Sequence, residues 1–252
     1  MNIVLIGSGN VATVVGRKSV AAGHRIVQVY NRNADHANRL ATRLGTTSTS
    51  YISSIERKAD LMIIALRDDA VGDFVREIGE VRSILVHTAG ALSINEVRGS
   101  NKSFGVVYPL QSLRKEIEEL PVLSILVQGN NVSTTRQLKE FAFSIASTVT
   151  ETDDESRLKY HLSATIVNNF TNHLYSMAAS FCERENISFA ILQPLIEETA
   201  IRLRYTTPQK AQTGPAIRND TITIQKHRDL LKKYPDILKY YNLFTEEIQK
   251  SL

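Results

Sequence analysis

The chain has 252 residues, enough for one large domain or two modest ones with their own hydrophobic cores. Apolar residues make up 42% of it and charged residues 22%, as in an ordinary globular protein. Its 30 basic and 26 acidic residues leave a net charge of +4 that is spread along the chain, with a pI near 9.1. This excess favours a small anionic ligand over a nucleic acid, so we expect no nucleic-acid partner.

The cysteine content and the lengths of the apolar runs exclude further classes of protein. A single cysteine, Cys182, excludes an internal disulfide framework and a cysteine-built metal site. No set of His, Asp and Glu residues has the spacing of metal ligands, so we expect no metal. No apolar run approaches about eighteen residues, and the first is too short for a signal sequence. We therefore expect a cytoplasmic protein with no membrane partner.

The start of the chain carries its clearest motif. Ile3–Ile6 is an apolar run with the length of a buried strand, and Gly7–Ala12 (GSGNVA) then fits the pattern G-x-G-x-x-G/A. Gly7 suits a tight turn and Gly9 a close approach of the backbone to a ligand, while the following helix would direct its free N–H groups at a pyrophosphate. The motif predicts a dinucleotide site, formed here by Gly7, Ser8, Gly9, Asn10 and Val11.

The end of the second predicted strand indicates which dinucleotide binds. Arg25–Tyr30 has a strand pattern and is followed by Asn31-Arg32-Asn33, with no acidic residue. Rossmann domains that select NAD place an Asp or Glu near this position, whereas an arginine accommodates the 2′-phosphate of NADP. Asn31, Arg32 and Asn33 therefore predict NADP rather than NAD. The alternative is an ordinary polar loop between a strand and a helix.

Short apolar strands alternate with helical patterns over the first part of the chain. Further strands are expected at Thr46–Ser50, Leu61–Leu66, Ser83–Val86, Ser103–Tyr108 and Val122–Val127. Helices are expected at Val11–Ala22, Ala34–Leu44, Ser53–Lys58, from an N-cap at Asp68 or Asp69 to Glu80, and at Ser133–Ala146. This alternation predicts an α/β fold with a doubly wound, mainly parallel sheet of the Rossmann type. Ligands bind at the carboxyl ends of such strands, which adds Ala65, Leu66, Asp68 and Thr88 to the cofactor site.

The pattern of apolar residues changes after Thr152: strand patterns stop there, and helical patterns continue. The longest helical pattern spans Asp154–Arg184, and others cover Phe189–Tyr205 and the stretches after Asn219 and Pro235. We expect two domains, a Rossmann dinucleotide-binding domain at 1–152 and a smaller all-α domain at 153–252.

Candidate catalytic groups lie on the first of these helices. Four polar residues have the spacing that places them on one stripe of an α-helix, with Asn169 beside them: His161, Thr165, Asn168 and Asn172. An apolar face lies opposite, formed by Ile166, Phe170, Leu174, Met177 and Phe181. The polar stripe either lines a cleft, where a histidine can transfer a proton, or faces water.

Two further places suit a small anionic substrate. Thr213 precedes a Gly-Pro turn, and Arg218 follows it, as a carboxylate- or phosphate-binding loop would require. The alternative is a helix connection in which Asn219 or Asp220 is an N-cap. His87, at a strand end, either contacts the substrate or is a hydrogen-bonded core histidine.

These motifs together resemble a family of Rossmann-type oxidoreductases with an uncharacterised helical C-terminal domain, distantly similar to pyrroline-5-carboxylate reductase and the β-hydroxyacid dehydrogenases. The resemblance rests on GSGNVA, Asn31-Arg32, His87–Ala91, Pro109 with Gln111, Tyr160-His161 with Asn168-Asn169, and Thr213–Asp220 (TGPAIRND) with His227. It implies an NAD(P)-binding domain, a helical domain that forms a homodimer, and a cleft between them.

The chain departs from these relatives at three positions. Tyr108 stands where relatives carry a histidine, and Arg67 stands where they carry a proline. The β-hydroxyacid dehydrogenases place a catalytic lysine three residues before an Asn-Asn pair, and here that position is Thr165. The lysine mechanism is therefore excluded at this site, and His161, one turn earlier, is the expected substitute.

The sequence thus predicts an NADP-dependent oxidoreductase that transfers a hydride to or from a small carbonyl, imine or hydroxy-acid substrate. His161, Asn168 and Asn169 are the expected catalytic residues, and His87, Thr213 and Arg218 the expected substrate-binding residues. The alternative is a non-catalytic sensor or assembly protein that binds NADP. A protein of this fold that has lost its cofactor fits less well, because both glycines of the motif and Arg32 are present.

Overall fold

The structure, a computed structural model, describes residues 1–250 and is built around an eight-stranded sheet. The strands, in chain order, are β1 (Asn2–Ile6), β2 (Arg25–Tyr30), β3 (Thr47–Thr49), β4 (Leu61–Ile64), β5 (Ile84–His87), β6 (Phe104–Pro109), β7 (Ser124–Gly129) and β8 (Thr148–Glu151). Their order across the sheet is β3-β2-β1-β4-β5-β6-β7-β8. All neighbours pair in parallel except β6 and β7, which are antiparallel.

The predicted doubly wound, mainly parallel fold is confirmed by this topology. The chain moves outward from β1 to β3 in one direction and then from β4 to β8 in the other, so the order reverses between β1 and β4. In open α/β sheets a ligand binds beyond the carboxyl ends of the strands at such a reversal. The turn after β1, where GSGNVA begins, lies at this point.

Helices cover both faces of the sheet, which explains why its central strands are apolar throughout. The helices of this part are α1 (Asn10–Ala21), α2 (Ala34–Leu44), α3 (Asp68–Ile78), α4 (Val132–Ile145) and α5 (Asp154–Ala164). Ile3 and Leu5 of β1 belong to one buried cluster, whereas Val4 and Ile6 belong to the other. Alternate side chains of a strand point to opposite faces, so β1 supports two hydrophobic cores at once.

Local predictions were wrong at three elements. The short helix expected at 53–58 is a single 3₁₀ turn, Ile52–Ser54. Strand β8 was missed, because the exposed or half-buried side chains of Thr148–Glu151 give no apolar run. The N-cap of α3 is Arg67, without a side-chain cap, and Asp68 and Asp69 occupy the first turn. Acidic residues in a first turn still favour the helix, through its dipole.

The helical stretch Asp154–Arg184 consists of α5, a π-helical segment (Thr165–Phe170) and α6 (Thr171–Arg184). The chain divides into two compact units after Asn169, rather than at the expected boundary of 152–153. The helix α5, which the expected boundary assigns to the second domain, is bonded to the sheet unit. Arg157 is 1% exposed, and its guanidinium donates to Gln128, Leu92 and Asp154.

The second unit starts at Phe170 and is helical. It contains α6, α7 (Gln193–Arg202), α8 (Pro208–Ala211), α9 (Thr221–Leu231) and α10 (Pro235–Lys250). Most of its described side chains are exposed or half-buried, and Cys182 is one of its few buried apolar ones. The expected domain limit at 252 lies outside the described residues. No described helix is both long and apolar enough to span a membrane.

His87, at the end of β5, is completely buried. Its Nδ1 accepts a hydrogen bond from the Ala89 amide at 3.1 Å. Burial lowers the pKa of His87 from its ordinary value near 6.5 to about 4, and the nearby charge of Arg157 acts in the same direction. The ring is therefore neutral at pH 7, as expected of a core histidine, and a substrate contact of His87 remains a prediction.

We expect His87 to make the fold sensitive to acid. Because its folded-state pKa is below that of the unfolded chain, the unfolded chain binds more protons, and stability falls as the pH drops from about 6.5 towards 4. The loss should reach about 3 kcal/mol. Urea unfolding at pH 7 and pH 4.5 should show this component in the wild type and not in His87→Asn, which keeps an acceptor for Ala89. Equal pH dependence of the two proteins would contradict the assignment.

Candidate functional site

The turn from β1 to α1 has the geometry that the glycine motif predicts. Gly7 has φ +108°, and a Cβ there would collide with the carbonyl oxygen of Ala65. Gly9 is the N-cap of α1, and a Cβ built on it meets nothing within 4 Å. Gly7 is thus required by the fold. Next to the backbone of Gly9, by contrast, there is unoccupied space that a ligand can enter.

This open space fits the pyrophosphate of a dinucleotide. The first N–H groups of α1 have no acceptor inside the helix, and the first turn carries no acidic side chain. Free amides and the positive end of the helix dipole together favour a phosphate anion.

The loop after β2 is ordered by its two asparagines. Asn31 Nδ2 donates to Ser8 Oγ at 2.8 Å, and Asn31 Oδ1 accepts from the amide of Asn33 at 2.9 Å. Asn33 in turn caps α2 by accepting from the amide of His36 at 3.0 Å. Arg32, between them, is exposed and forms no ion pair within residues 1–250. The loop therefore presents a free guanidinium on a fixed backbone.

A cavity of about 490 Å³, the first of three described below, lies at this edge of the sheet. Its lining includes these residues predicted to bind the cofactor: Gly7, Ser8, Gly9, Asn31, Arg32, Ala65 and Leu66. Outside the lining are Asn10, Val11, Asn33, Asp68 and Thr88, of which Thr88 donates through its hydroxyl to Ile64 at 3.3 Å. Arg67 also lines it and was missed, because the sequence shows it only as a departure from relatives. Its partner in the cavity wall is Asp69, at 2.8 Å.

A second cavity, of about 410 Å³, lies in the same unit beyond β6. All three residues predicted to be catalytic line it: His161, Asn168 and Asn169. So does Tyr108, whose hydroxyl lies 2.9 Å from His161 Nδ1, with the rings edge to face. Gly90 allows this arrangement, because a Cβ there would lie 2.6 Å from His161 Nδ1 and 3.0 Å from Tyr108 Cζ.

Tyr108 is not among the predicted site residues, although it departs from relatives at the position before Pro109. Burial raises the pKa of Tyr108 above its ordinary value of 10, and the charge of Asp68 acts in the same direction against that of Arg157. The phenol therefore keeps its proton at neutral pH and can donate it to His161 Nδ1.

The predicted stripe of His161, Thr165, Asn168 and Asn172 needs correction. The segment Thr165–Phe170 is π-helical, so the spacing of an ordinary α-helix does not hold across it. The wider turn brings Asn168 and Asn169 together to the cavity of His161, and Asn172 lies in the second unit. Thr165 donates its hydroxyl to the His161 carbonyl at 3.0 Å.

Thr213 and Arg218, expected to bind an anionic substrate, lie in the second unit. The loop turns at Gly214, with φ +107°, and at Asn219, with φ +53°. Asp220 is the N-cap of α9, accepting from the Thr223 amide at 3.0 Å, as the alternative interpretation stated. The role of Arg218 remains a prediction.

Two family models match the chain. Residues 2–90 match the family described as NADP oxidoreductase coenzyme F420-dependent, and residues 123–248 match the domain of unknown function DUF2520. No curated protein matches the chain in sequence.

Solved structures match over nearly the whole length. A candidate NADP oxidoreductase from Bacteroides fragilis has 34% identity and a TM-score of 0.91, with 99% of this chain and 98% of that one covered. A 1-pyrroline-5-carboxylate reductase from Streptococcus pyogenes has 12% identity and a TM-score of 0.68, with 99% and 98% covered. An imine reductase from Myxococcus stipitatus in complex with NADP⁺ has 12% identity and a TM-score of 0.66, with 100% and 94% covered. With the identity to the Bacteroides protein, the chain belongs to the family of NADP oxidoreductases in which a Rossmann domain is followed by a DUF2520 domain.

Proposed function

We propose that the protein is an NADP-dependent reductase of a small C=N or C=O substrate that carries a negative charge. The observation that carries this proposal is the pairing of Tyr108 with His161 in a cavity shared with Asn168 and Asn169. This cavity and the glycine-motif cavity lie in one unit, at the carboxyl edge of one sheet. Imines are the first substrates to test, since the imine reductase shares the fold.

The residues that would hold NADP are those of the first cavity. The amides that follow Gly9 would bind the pyrophosphate, and Arg32 would bind the 2′-phosphate. Asp69 and Asp73 also line the cavity, but each is paired with an arginine, which reduces their repulsion of a phosphate. When bound, NADPH supplies a hydride to the substrate carbon.

His161 would supply the proton that this reduction requires at the substrate nitrogen or oxygen. For this transfer the imidazole carries a proton on each nitrogen: Nδ1 donates to the Tyr108 hydroxyl, 2.9 Å away, and Nε2 gives its proton to the substrate, which leaves a neutral ring. Asn168 and Asn169 offer amide donors and acceptors that orient the substrate. Arg218 would bind the negative charge of the substrate, with Thr213 on the same loop.

We further propose that the helical unit forms a homodimer in the cytoplasm. Large apolar side chains are exposed on it, including Ile191 (78%), Leu195 (61%) and Phe170 (59%). Apolar exposure on this scale marks an interface more often than a free surface. A second copy of the chain would cover these side chains, and the buried thiol of Cys182 suits a reducing compartment.

We expect Arg32→Ala to weaken NADPH binding about tenfold and to leave NADH binding unchanged, because only NADPH carries the 2′-phosphate. For the wild type, NADPH at about one hundred times its Kd should raise Tm by about 5–10 °C. Thermal shift and titration calorimetry measure both effects. Arg82→Ala, which removes an exposed arginine outside the three cavities, is the charge-matched control. Equal binding of NADPH and NADH by the wild type would contradict the role of Arg32.

We expect His161→Ala to lower kcat by at least one hundredfold and to leave the Kd for NADPH within twofold. Tyr108→Phe should lower kcat less and shift its pH profile, because it removes the hydroxyl that bonds His161 Nδ1. Oxidation of NADPH at 340 nm is measured across a panel of cyclic imines and keto acids. Turnover by His161→Ala equal to that of the wild type would refute the assignment. NADPH binding without turnover of any panel member would favour the sensor alternative.

We expect the wild type to scatter light as a particle of twice 28.2 kDa and Leu195→Glu to shift it towards the monomer. Val132→Glu is the control, because Val132 is an equally apolar, 89% exposed residue of the sheet unit. Size-exclusion chromatography with light scattering measures the mass. A monomeric wild type would contradict the proposal.

A further inference from the structure

A third cavity, of about 300 Å³, is used neither by the sequence predictions nor by the proposed function. It lies between α1, α2 and the 110–123 segment, which connects β6 to β7 without a helix or strand. Among its lining residues are Ser8, Arg39, Arg43, Lys115 and Glu116. Ser8 also lines the first cavity, so the two meet at the glycine motif.

The charge of this third cavity is positive overall. Three lining side chains are cationic, namely Arg39, Arg43 and Lys115, against the single carboxylate of Glu116. Arg43 is neutralised by Glu118, at 2.5 Å. The guanidinium of Arg39 and the ammonium group of Lys115 form no ion pair within the described part of the chain. Two unpaired cations around a concave surface attract an anion.

The walls of the cavity are fixed before any ligand binds. Arg43 Nη1 donates to the carbonyl of Lys115 at 3.1 Å, and the amide of Lys115 donates to Asn10 Oδ1 at 3.3 Å. Arg17, on α1, donates to the carbonyl of Ile117 at 3.0 Å. The backbone of the segment that carries Lys115 is therefore tied to both helices, and binding an anion would cost little ordering of it.

The cavity also contains a hydroxyl donor. Ser8 Oγ accepts from Asn31 Nδ2, so its own proton is directed elsewhere and can be donated to an oxygen ligand. Arginine, lysine and a hydroxyl donor are the groups that bind a phosphate.

We propose that this cavity binds a phosphate group through Arg39 and Lys115. The group comes either from the 2′ position of NADP, which Asn31 and Arg32 approach from the other side of Ser8, or from a separate phosphorylated molecule. The first source rests on the proposed function, and the second does not. Both require the same chemistry at the same two cations.

The test uses the full chain with Arg39→Gln, Lys115→Gln, their combination, and Arg82→Gln as the charge-matched control. Kd values for NADPH and NADH are measured by titration calorimetry. Thermal shifts are measured with inorganic phosphate and with adenosine 2′-monophosphate, against sodium chloride of equal ionic strength. Circular dichroism of each variant at 20 °C verifies that it is folded.

If the cofactor supplies the phosphate, the double variant loses at least tenfold in affinity for NADPH, with NADH within twofold. If a separate molecule supplies it, NADPH affinity is kept and the stabilisation by inorganic phosphate is lost. Loss of neither effect in folded variants overturns the proposal, as does an equal loss in Arg82→Gln. A wild type that binds neither NADPH nor NADH refutes the proposed function alone, and the phosphate measurement still decides this site.

Discussion

The ion pair between Asp154 and the buried guanidinium of Arg157 fixes the first turn of α5, and the candidate active site depends on it. Asp154 accepts from Ser93 Oγ at 2.6 Å, from the Ile94 amide at 3.0 Å and from Arg157 at 2.8 Å. Burial alone would raise the pKa of Asp154, but these hydrogen bonds outweigh it and hold the pKa below its ordinary value. His161 lies one helical turn after Arg157, so the Asp154–Arg157 ion pair also positions His161 relative to β6. Arg157 is buried whereas the Asp154 side chain is 38% exposed, so the loss of Asp154 would leave a buried guanidinium without its carboxylate.

The cofactor side of the site is organised by a different constraint, the close approach of two strand ends. Gly7 passes so near the Ala65 carbonyl that no side chain fits, and its amide donates to Tyr30 at 2.8 Å. The turn after β1 is therefore held by the ends of β4 and β2 together. Asn31 completes it by bonding Ser8. Because this geometry is present without a ligand, a dinucleotide would meet a preorganised cradle, which reduces the entropic cost of binding.

The sequence predicted the sheet well because buried parallel strands are continuous apolar runs, as Leu61–Ile64 shows. Strand β8 could not be predicted in this way, because it lies at the edge of the sheet and its exposed or half-buried side chains form no apolar run. At the site, the glycine motif and His161 were found from local patterns, whereas the partner of His161 was not. Tyr108 and His161 are far apart in the chain and meet only through the pairing of β6 with β5 and the seating of α5. The π-helical segment also could not be predicted from the sequence, since the helical pattern of apolar residues is sought at one fixed rotation per residue, that of an α-helix.

The second cavity limits which groups can exchange a proton there. Its titratable lining residues are Tyr108, Tyr160 and His161. Thr165, which stands where some relatives have lysine, uses its hydroxyl on the helix backbone. Burial raises the pKa of Tyr108, so the phenol holds its proton at neutral pH. Imidazole is the side chain that exchanges protons in this range. In this cavity Gly90 leaves the space that the His161 imidazole needs beside Tyr108, so the pairing of the two rings depends on the absence of a side chain at that position.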